Sequence, residues 1–340
     1  LNAYPDKRPR HRCEPVGSRG GLRYKRAPGG CMRSLLPTDP ASLRRLAATA
    51  SLTLATVLAL AKLVAAVATG SLAVLSSLID SLADIVASAI TFVSVRISQQ
   101  PPDRSHRFGH GKAESLSALA QAALVAGSAT FVLIDATRRL SRPEPIAATG
   151  LGVAVMAFAI VTTLLLVAFQ RHVIKVTGSQ AISADSLHYR ADLLTNLSIL
   201  GSLVLVGRLG LVWLDPIVGA LVALYLGWHA FAIGRDAVEV LMDHELPAAT
   251  RQRIKDIVLA HPEVQGLHDL RTRESGHTQF IEFHVELDGE MSVRDAHEVT
   301  DSIETELAQA FPNAEVILHQ EPAGLEDARL DHRIAAALRT

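Results

Sequence analysis

Two pairs of ionisable residues lie where such groups are costly. Asp80 and Asp84 fall in "LSSLIDSLADIVASAI", which otherwise reads as a membrane-spanning helix, and His188 and Asp192 fall in "SADSLHYRADLLTNLSILGS". Each pair is spaced i, i+4, so on a helix both members share a face. An aspartate at the bilayer centre costs roughly 2.5–3.5 kcal/mol, and two on one stripe call for a partner other than lipid. The economical arrangement has the two faces meet and hold something positive. Three carboxylates and one imidazole make a four-ligand cage suited to Zn2+ and similar divalent metals. Magnesium and calcium favour all-oxygen shells, so the histidine argues against them. Taken alone, each residue also fits a helix-packing, proton-relay or interhelical hydrogen-bond role; the matched spacing on two helices favours the cage.

Ligands must be deprotonated to bind metal, so protons and metal compete for one such site. An imidazole titrates near neutral pH by default. A site of this kind, opened alternately to either side of a membrane, exchanges protons from outside for metal from inside. The chain has no G-x-x-x-x-G-K-[ST] phosphate loop, which leaves an ion gradient, protons foremost, as the expected driving force. An intramembrane zinc hydrolase would need an open coordination position and a general base, and no H-E-x-x-H occurs. A membrane-anchored metal sensor without transport leaves Asp80, Asp84, His188 and Asp192 unexplained.

Two further groups invite the same reading. Asp103, His106 and His110 lie close together in "PPDRSHRFGHGK"; they suit a metal site, and a solvated polar loop equally. His268, His284, His297 and His319 are spread over the C-terminal part, where a single histidine is most often a surface residue.

The elements that must carry these residues follow from hydropathy. Of the 340 residues, 49% are hydrophobic, and the long apolar runs concentrate between about 46 and 234. Six segments approach the ~20 residues a bilayer needs: about 45–68, 72–98, 113–137, 147–170, 180–206 and 212–233. Lys and Arg are more frequent in the loops that share a side with the N-terminal arm, which puts both ends of the bundle in the cytoplasm. A net charge of −1 excludes nucleic acid as a bulk electrostatic partner. Cys13 and Cys31 lie in an Arg-, Pro- and Gly-rich arm, so any metal site must use His and carboxylates. That arm reads as disordered, or as translated sequence upstream of a start at Met32. Asp185 is expected in a solvated helix start, Lys62 is left to snorkelling or cavity lining, and His229 reads as a lone residue near the end of its span. Trp213 and Trp228 look like interfacial anchors.

Beyond Met242 the pattern is that of a soluble domain. Residues 249–262 read as an amphipathic helix, 264–275 and 278–289 as strands, 292–311 as a second helix and 314–320 as a last strand. In the second strand Ile281, Phe283, Val285 and Leu287 alternate with Phe280, Glu282, His284 and Glu286, which predicts one buried face. The order αββαβ implies a small α+β domain with helices on one face of a three-stranded sheet. The division is a 1–40 arm, a 41–240 six-helix membrane domain, a 241–325 soluble domain and a 326–340 tail.

With these motifs in hand, the chain resembles the cation diffusion facilitators, nearest to bacterial zinc, cadmium and ferrous-iron efflux pumps. "GSLAVLSSLIDSLADI", "RFGHGKAESL", "SADSLHYRAD" and "HDLRTRESG" carry the likeness, which covers about 40–325. The resemblance implies a six-helix membrane domain, a metallochaperone-like cytoplasmic domain and a homodimer in the inner membrane that exports Zn2+, Cd2+ or Fe2+ against protons. It implies a transport site at Asp80, Asp84, His188 and Asp192, and a second metal site at Asp103, His106 and His110. It further implies a two-metal cluster at His268, His284, His297, His319 and Glu321 that bridges protomers. Glu321 stands in "HQE" where relatives carry "HQD". Lys112 and Asp243 match a charge pair that ties the membrane domain to the soluble one.

Overall fold

The computed structural model describes residues 39–69, 72–141, 150–209 and 213–324. Expectations for the N-terminal arm with Cys13 and Cys31, for most of the "SRPEP" turn and for the tail lie outside the described residues. Six long helices come first: α1 (Pro40–Thr69), α2 (Leu72–Ser98), α3 (Ala113–Ser141), α4 (Gly150–Thr177), α5 (Gln180–Leu209) and α6 (Leu214–Leu241). Then follow α7 (Ala248–Leu259), β1 (Gly266–Ser275), β2 (Thr278–Leu287), α8 (Val293–Ala310) and β3 (Ala314–Pro322).

Among the described residues, five of the six long helices are apolar enough to cross a membrane by length and composition. The exception is α5, and its cause is chemical: Asp185, His188, Arg190 and Asp192 crowd its first half. At 30 residues it still measures about 45 Å, and it packs against α3, α4 and α6. It is the sixth member of a helical transmembrane domain.

Small side chains let these helices approach closely, as expected where lipid supplies no hydrophobic drive for helix association. Ala118, Ala184 and Ala237 meet where α3, α5 and α6 converge. Leu43, Ala47 and Ala48 of α1 pack with Val95, Val173, Ala181 and Ile182. Large apolar groups point outward instead: Val64, Phe131, Leu165 and Phe231 are exposed, which suits a surface facing lipid. Near the junction with the soluble domain, Arg44 pairs with Glu114 at 2.9 Å with both side chains buried. Ser98 and Ser179 donate to the same carboxylate, so the buried Glu114 accepts from two hydroxyls as well as the guanidinium, the kind of support that burial of charge requires.

In the soluble domain β1 and β2 run antiparallel and β2 and β3 parallel, in the order β1-β2-β3. Ile281, Phe283, Val285 and Leu287 of β2 are buried against Ile254 and Val258 of α7 and Ala296, Ile303 and Leu307 of α8. The polar face of β2 departs from its alternation at Phe280, which is buried. Phe108, from the loop between α2 and α3, meets that ring edge-on at 5.5 Å, and the Arg273 guanidinium lies 4.5 and 4.7 Å from the two ring centroids. Strand periodicity records sheet packing, and this burial comes from another domain.

Candidate metal centres

Asp84 on α2 meets His188 and Asp192 on α5, and one ligand atom from each lies within 4.8 Å of the others. His188 Nε2 is 3.1 Å from Asp84 Oδ1 and 3.9 Å from Asp192 Oδ2. Tetrahedral ligands at zinc distances stand about 3.4 Å apart, so one pair already has this spacing and the third ligand needs a small contraction. Asp80, one turn before Asp84, is exposed and lies outside this group of three.

The helix register that brings these residues together comes from polar groups buried beside them. Tyr189 donates to the Ser51 carbonyl at 2.9 Å and pairs with Ser88 at 2.8 Å. Asp185 is fully buried, accepting from Gln170 Nε2 at 2.7 Å and Thr91 Oγ1 at 3.4 Å. Gln121 of α3 donates to Thr91 Oγ1 and to the Ala87 carbonyl, both at 2.8 Å. The expectation of a solvated Asp185 is therefore corrected: α4 and α1 close over a helix start that looks polar in sequence. The available signal was an amide in each of two apolar runs, "LAQAAL" and "VAFQRH", since polar groups within a span mark contacts. Lys62 of α1 lies close enough for its charge to act on Asp192. His229 meets the Tyr225 ring edge-on at 4.4 Å.

In the loop, Asp103 lies 3.4 Å from both His106 Nδ1 and His110 Nε2. Backbone N–H groups of His106 and Ser105 donate to Asp103 Oδ1 at 2.6 and 2.7 Å. They hold its carboxyl below the usual aspartate range, as donors to the charged form do. The loop thus keeps an ionised carboxylate beside two imidazoles.

The third group is built by strand register. His268 pairs with His284, and His284 with His319, forming one rung across β1, β2 and β3. Glu286 pairs with Glu321 two positions on. Glu321 approaches His284 Nδ1 at 2.8 Å, His268 Nε2 at 3.3 Å and His319 Nε2 at 3.6 Å. His268, His284 and Glu321 form the compact group. His319 stands beside it with its ring 5.1 Å from that of His284. His297 is exposed on α8 and outside the group. Glu286, whose Oε1 is 3.1 Å from His268 Nδ1, was not singled out in sequence, where it looks like any outward carboxylate on an alternating strand.

Lys112 Nζ reaches Asp243 Oδ1 at 2.9 Å and the Leu241 carbonyl at 3.2 Å. Asp243 has φ +60°, and its N–H and that of His244 return to Val240 O and Glu239 O. That is the Schellman ending of a helix, with aspartate in the left-handed position usually held by glycine.

Residues 48–242 match the family described as the cation efflux transmembrane domain, and 246–323 match the cation efflux protein cytoplasmic domain. The chain is similar to the cation-efflux pump FieF of Shewanella oneidensis, 46% identical over 83% of this chain and 95% of the relative. It is likewise similar to FieF of Klebsiella pneumoniae, 43% identical over 82% and 93%. Among solved structures it resembles the cytosolic domain of a cation diffusion facilitator family protein, 39% identical over 22% of this chain and 92% of that one, with a TM-score of 0.22. The metal-bound C-terminal domain of a CzcD transporter from Thermotoga maritima is 36% identical over 24% and 100%, with a TM-score of 0.22.

Proposed function

Because the chain belongs to the cation efflux family and carries both of its domains in order, we propose that it exports a divalent transition metal, Zn2+ foremost with Cd2+ or Fe2+ as further substrates, in exchange for protons. It is a transporter and not an enzyme. The membrane domain, residues 41–240, carries the transport site at Asp84, His188 and Asp192, with Asp80 joining as the metal seats. The observation that carries the reading is the 3.1 Å contact between His188 Nε2 and Asp84 Oδ1. A proton between these two atoms occupies the place a metal would take, so binding one expels the other.

The soluble domain, residues 241–325, takes cytoplasmic metal at His268, His284 and Glu321. His319 and Glu286 serve that group as neighbours. A homodimer makes the exposed His297 of one protomer available to the other. Asp103, His106 and His110 form a loop site on the same cytoplasmic side. Both ends of the bundle face the cytoplasm of the inner membrane. A sensor without transport would have no use for a proton-linked cage between α2 and α5.

The test is Zn2+ uptake into sealed proteoliposomes with and without an imposed pH gradient, for the wild type and Asp84→Ala. Flux should follow the gradient and fall to background in the variant. Gradient-independent flux overturns proton exchange, and near-normal flux in Asp84→Ala overturns the site.

A further inference from the structure

A groove of about 430 Å³ opens between α4, α5 and α6. On α5 it includes Arg190, two residues from both His188 and Asp192 and so rotated by roughly 200° from each; it therefore lies behind the ligand face. Arg171 and Leu164 of α4, Leu193 of α5, and Leu221 and Tyr225 of α6 complete the part that matters here. Leu164, Leu221 and Tyr225 are exposed, so the groove opens outward from the bundle where lipid would lie.

Among the described residues neither arginine has an anionic partner. Arg190 Nε donates to the Ser186 carbonyl at 3.2 Å and its guanidinium also meets the Tyr225 side chain; both partners are neutral. The arginine ion pairs among the described residues involve Arg44, Arg139, Arg235, Arg251, Arg271 and Arg273. Arg171 and Arg190 instead lie close enough to repel each other. Two like charges in an apolar groove at the membrane are unfavourable unless a negative group joins them. Along the helices, Arg171 is about 9 Å and Arg190 about 15 Å from the α4–α5 turn, the end of the bundle that also bears the soluble domain.

We propose that this groove binds one anionic phospholipid of the cytoplasmic leaflet, with its phosphate between Arg171 and Arg190 and an acyl chain along Leu164 and Leu221. Basic pockets between helices on the cytoplasmic side suit such headgroups. A free phosphate would leave the leucines uncovered. A second copy packed here about a two-fold axis would set the arginine pair against its own image. The leaflet rests on the orientation proposed above; the charge argument does not.

The test is lipid retention by the purified full-length protein in native mass spectrometry, offered phosphatidylglycerol and phosphatidylcholine with identical acyl chains. The wild type should keep phosphatidylglycerol preferentially. Arg171→Gln, at an exposed side chain that is safe for folding, should weaken retention roughly fivefold, and the double variant with Arg190→Gln roughly 25-fold. Arg171→Lys with Arg190→Lys should keep most of it. Equal retention of the two lipids by the wild type, or of phosphatidylglycerol by the wild type and the glutamine variants, overturns the proposal. So does displacement of the lipid by excess glycerol phosphate, or a disulfide between protomers through Leu221→Cys. No arm measures metal flux, so failure here and failure of the transport reading are separate results.

Discussion

Glu321 is the carboxylate to which three imidazoles turn, His284 at 2.8 Å, His268 at 3.3 Å and His319 at 3.6 Å. A glutamate reaches one methylene further than an aspartate, and here that reach closes a group whose other members are fixed by strand register. Glu321→Gln keeps the shape and removes the charge that a divalent metal needs. In an Asp84→Ala background, chosen to remove the proposed membrane site, Zn2+ affinity measured by calorimetry should fall roughly 10- to 100-fold. Glu321→Asp should recover part of it. Unchanged affinity in Glu321→Gln would remove this rung from the list of metal sites. The three histidines were legible in sequence as residue types on separate strands. Their alignment was not, because register depends on which strands pair and on the irregularity between His268 and Arg271. Glu286 was missed for the same reason.

At the scale of the element, α5 carries His188 and Asp192, two of the three residues clustered with Asp84, and is the one long helix among the described residues too polar to qualify as a membrane span by composition. Its position is set by the polar residues between and behind the ligands. Asp185 ties it to Gln170 of α4 and Thr91 of α2, and Tyr189 ties it to Ser51 of α1 and Ser88 of α2. Asp185→Ala leaves the Gln170 amide only its longer contact to Ser51 Oγ at 3.3 Å and should cost about 1–3 kcal/mol, read as a lower thermal unfolding midpoint in detergent. Asp185→Asn, which still offers a carbonyl oxygen, should cost less. A midpoint unmoved by Asp185→Ala would mean that the network does not hold α5. The six apolar runs were readable, but α4 and α6 continue to Thr177 and Leu241, past the expected ends at about 170 and 233, because their last turns are polar and hydropathy does not mark them. Which face of α5 is buried was not readable from apolar periodicity, since a helix packed on several sides has no single apolar stripe.

At the scale of the molecule, the described contacts between the soluble and membrane domains include the β1–β2 hairpin, the Phe108–Phe280 ring pair and the Lys112–Asp243 ion pair. The β1–β2 turn places Gly276, φ +65°, against Gly111; a Cβ at Gly111 would collide with the Ser275 carbonyl, so both positions need glycine. Beside them Lys112 pairs with Asp243. Burial alone would raise the Asp243 carboxyl, but the Lys112 hydrogen bond and charge, joined by Arg273, hold it below the ordinary value. Free aspartate, near pKa 3.9, takes up a proton first as pH falls. The contribution is therefore complete above about pH 4 and is lost as pH drops through the lower docked value. The pair is partly exposed and contributes at most about 1 kcal/mol. Hydrogen exchange at the β1–β2 turn should be faster at neutral pH in Asp243→Asn, and the variant should lack the wild type's added acid response. Identical protection at pH 7 would show that the pair does not hold the junction.

Sequence alone determined the long helices, the αββαβ order and the chemistry of the candidate ligands. These follow from hydropathy, spacing and residue type, which are properties of a chain read locally. Tertiary structure decided that Asp84, His188 and Asp192 converge while Asp80 stands apart. It also buried Asp185, covered Phe280 with Phe108 and aligned three histidines in one rung. Each of these depends on the rotation and register of elements distant in the chain, which packing sets and local sequence does not encode.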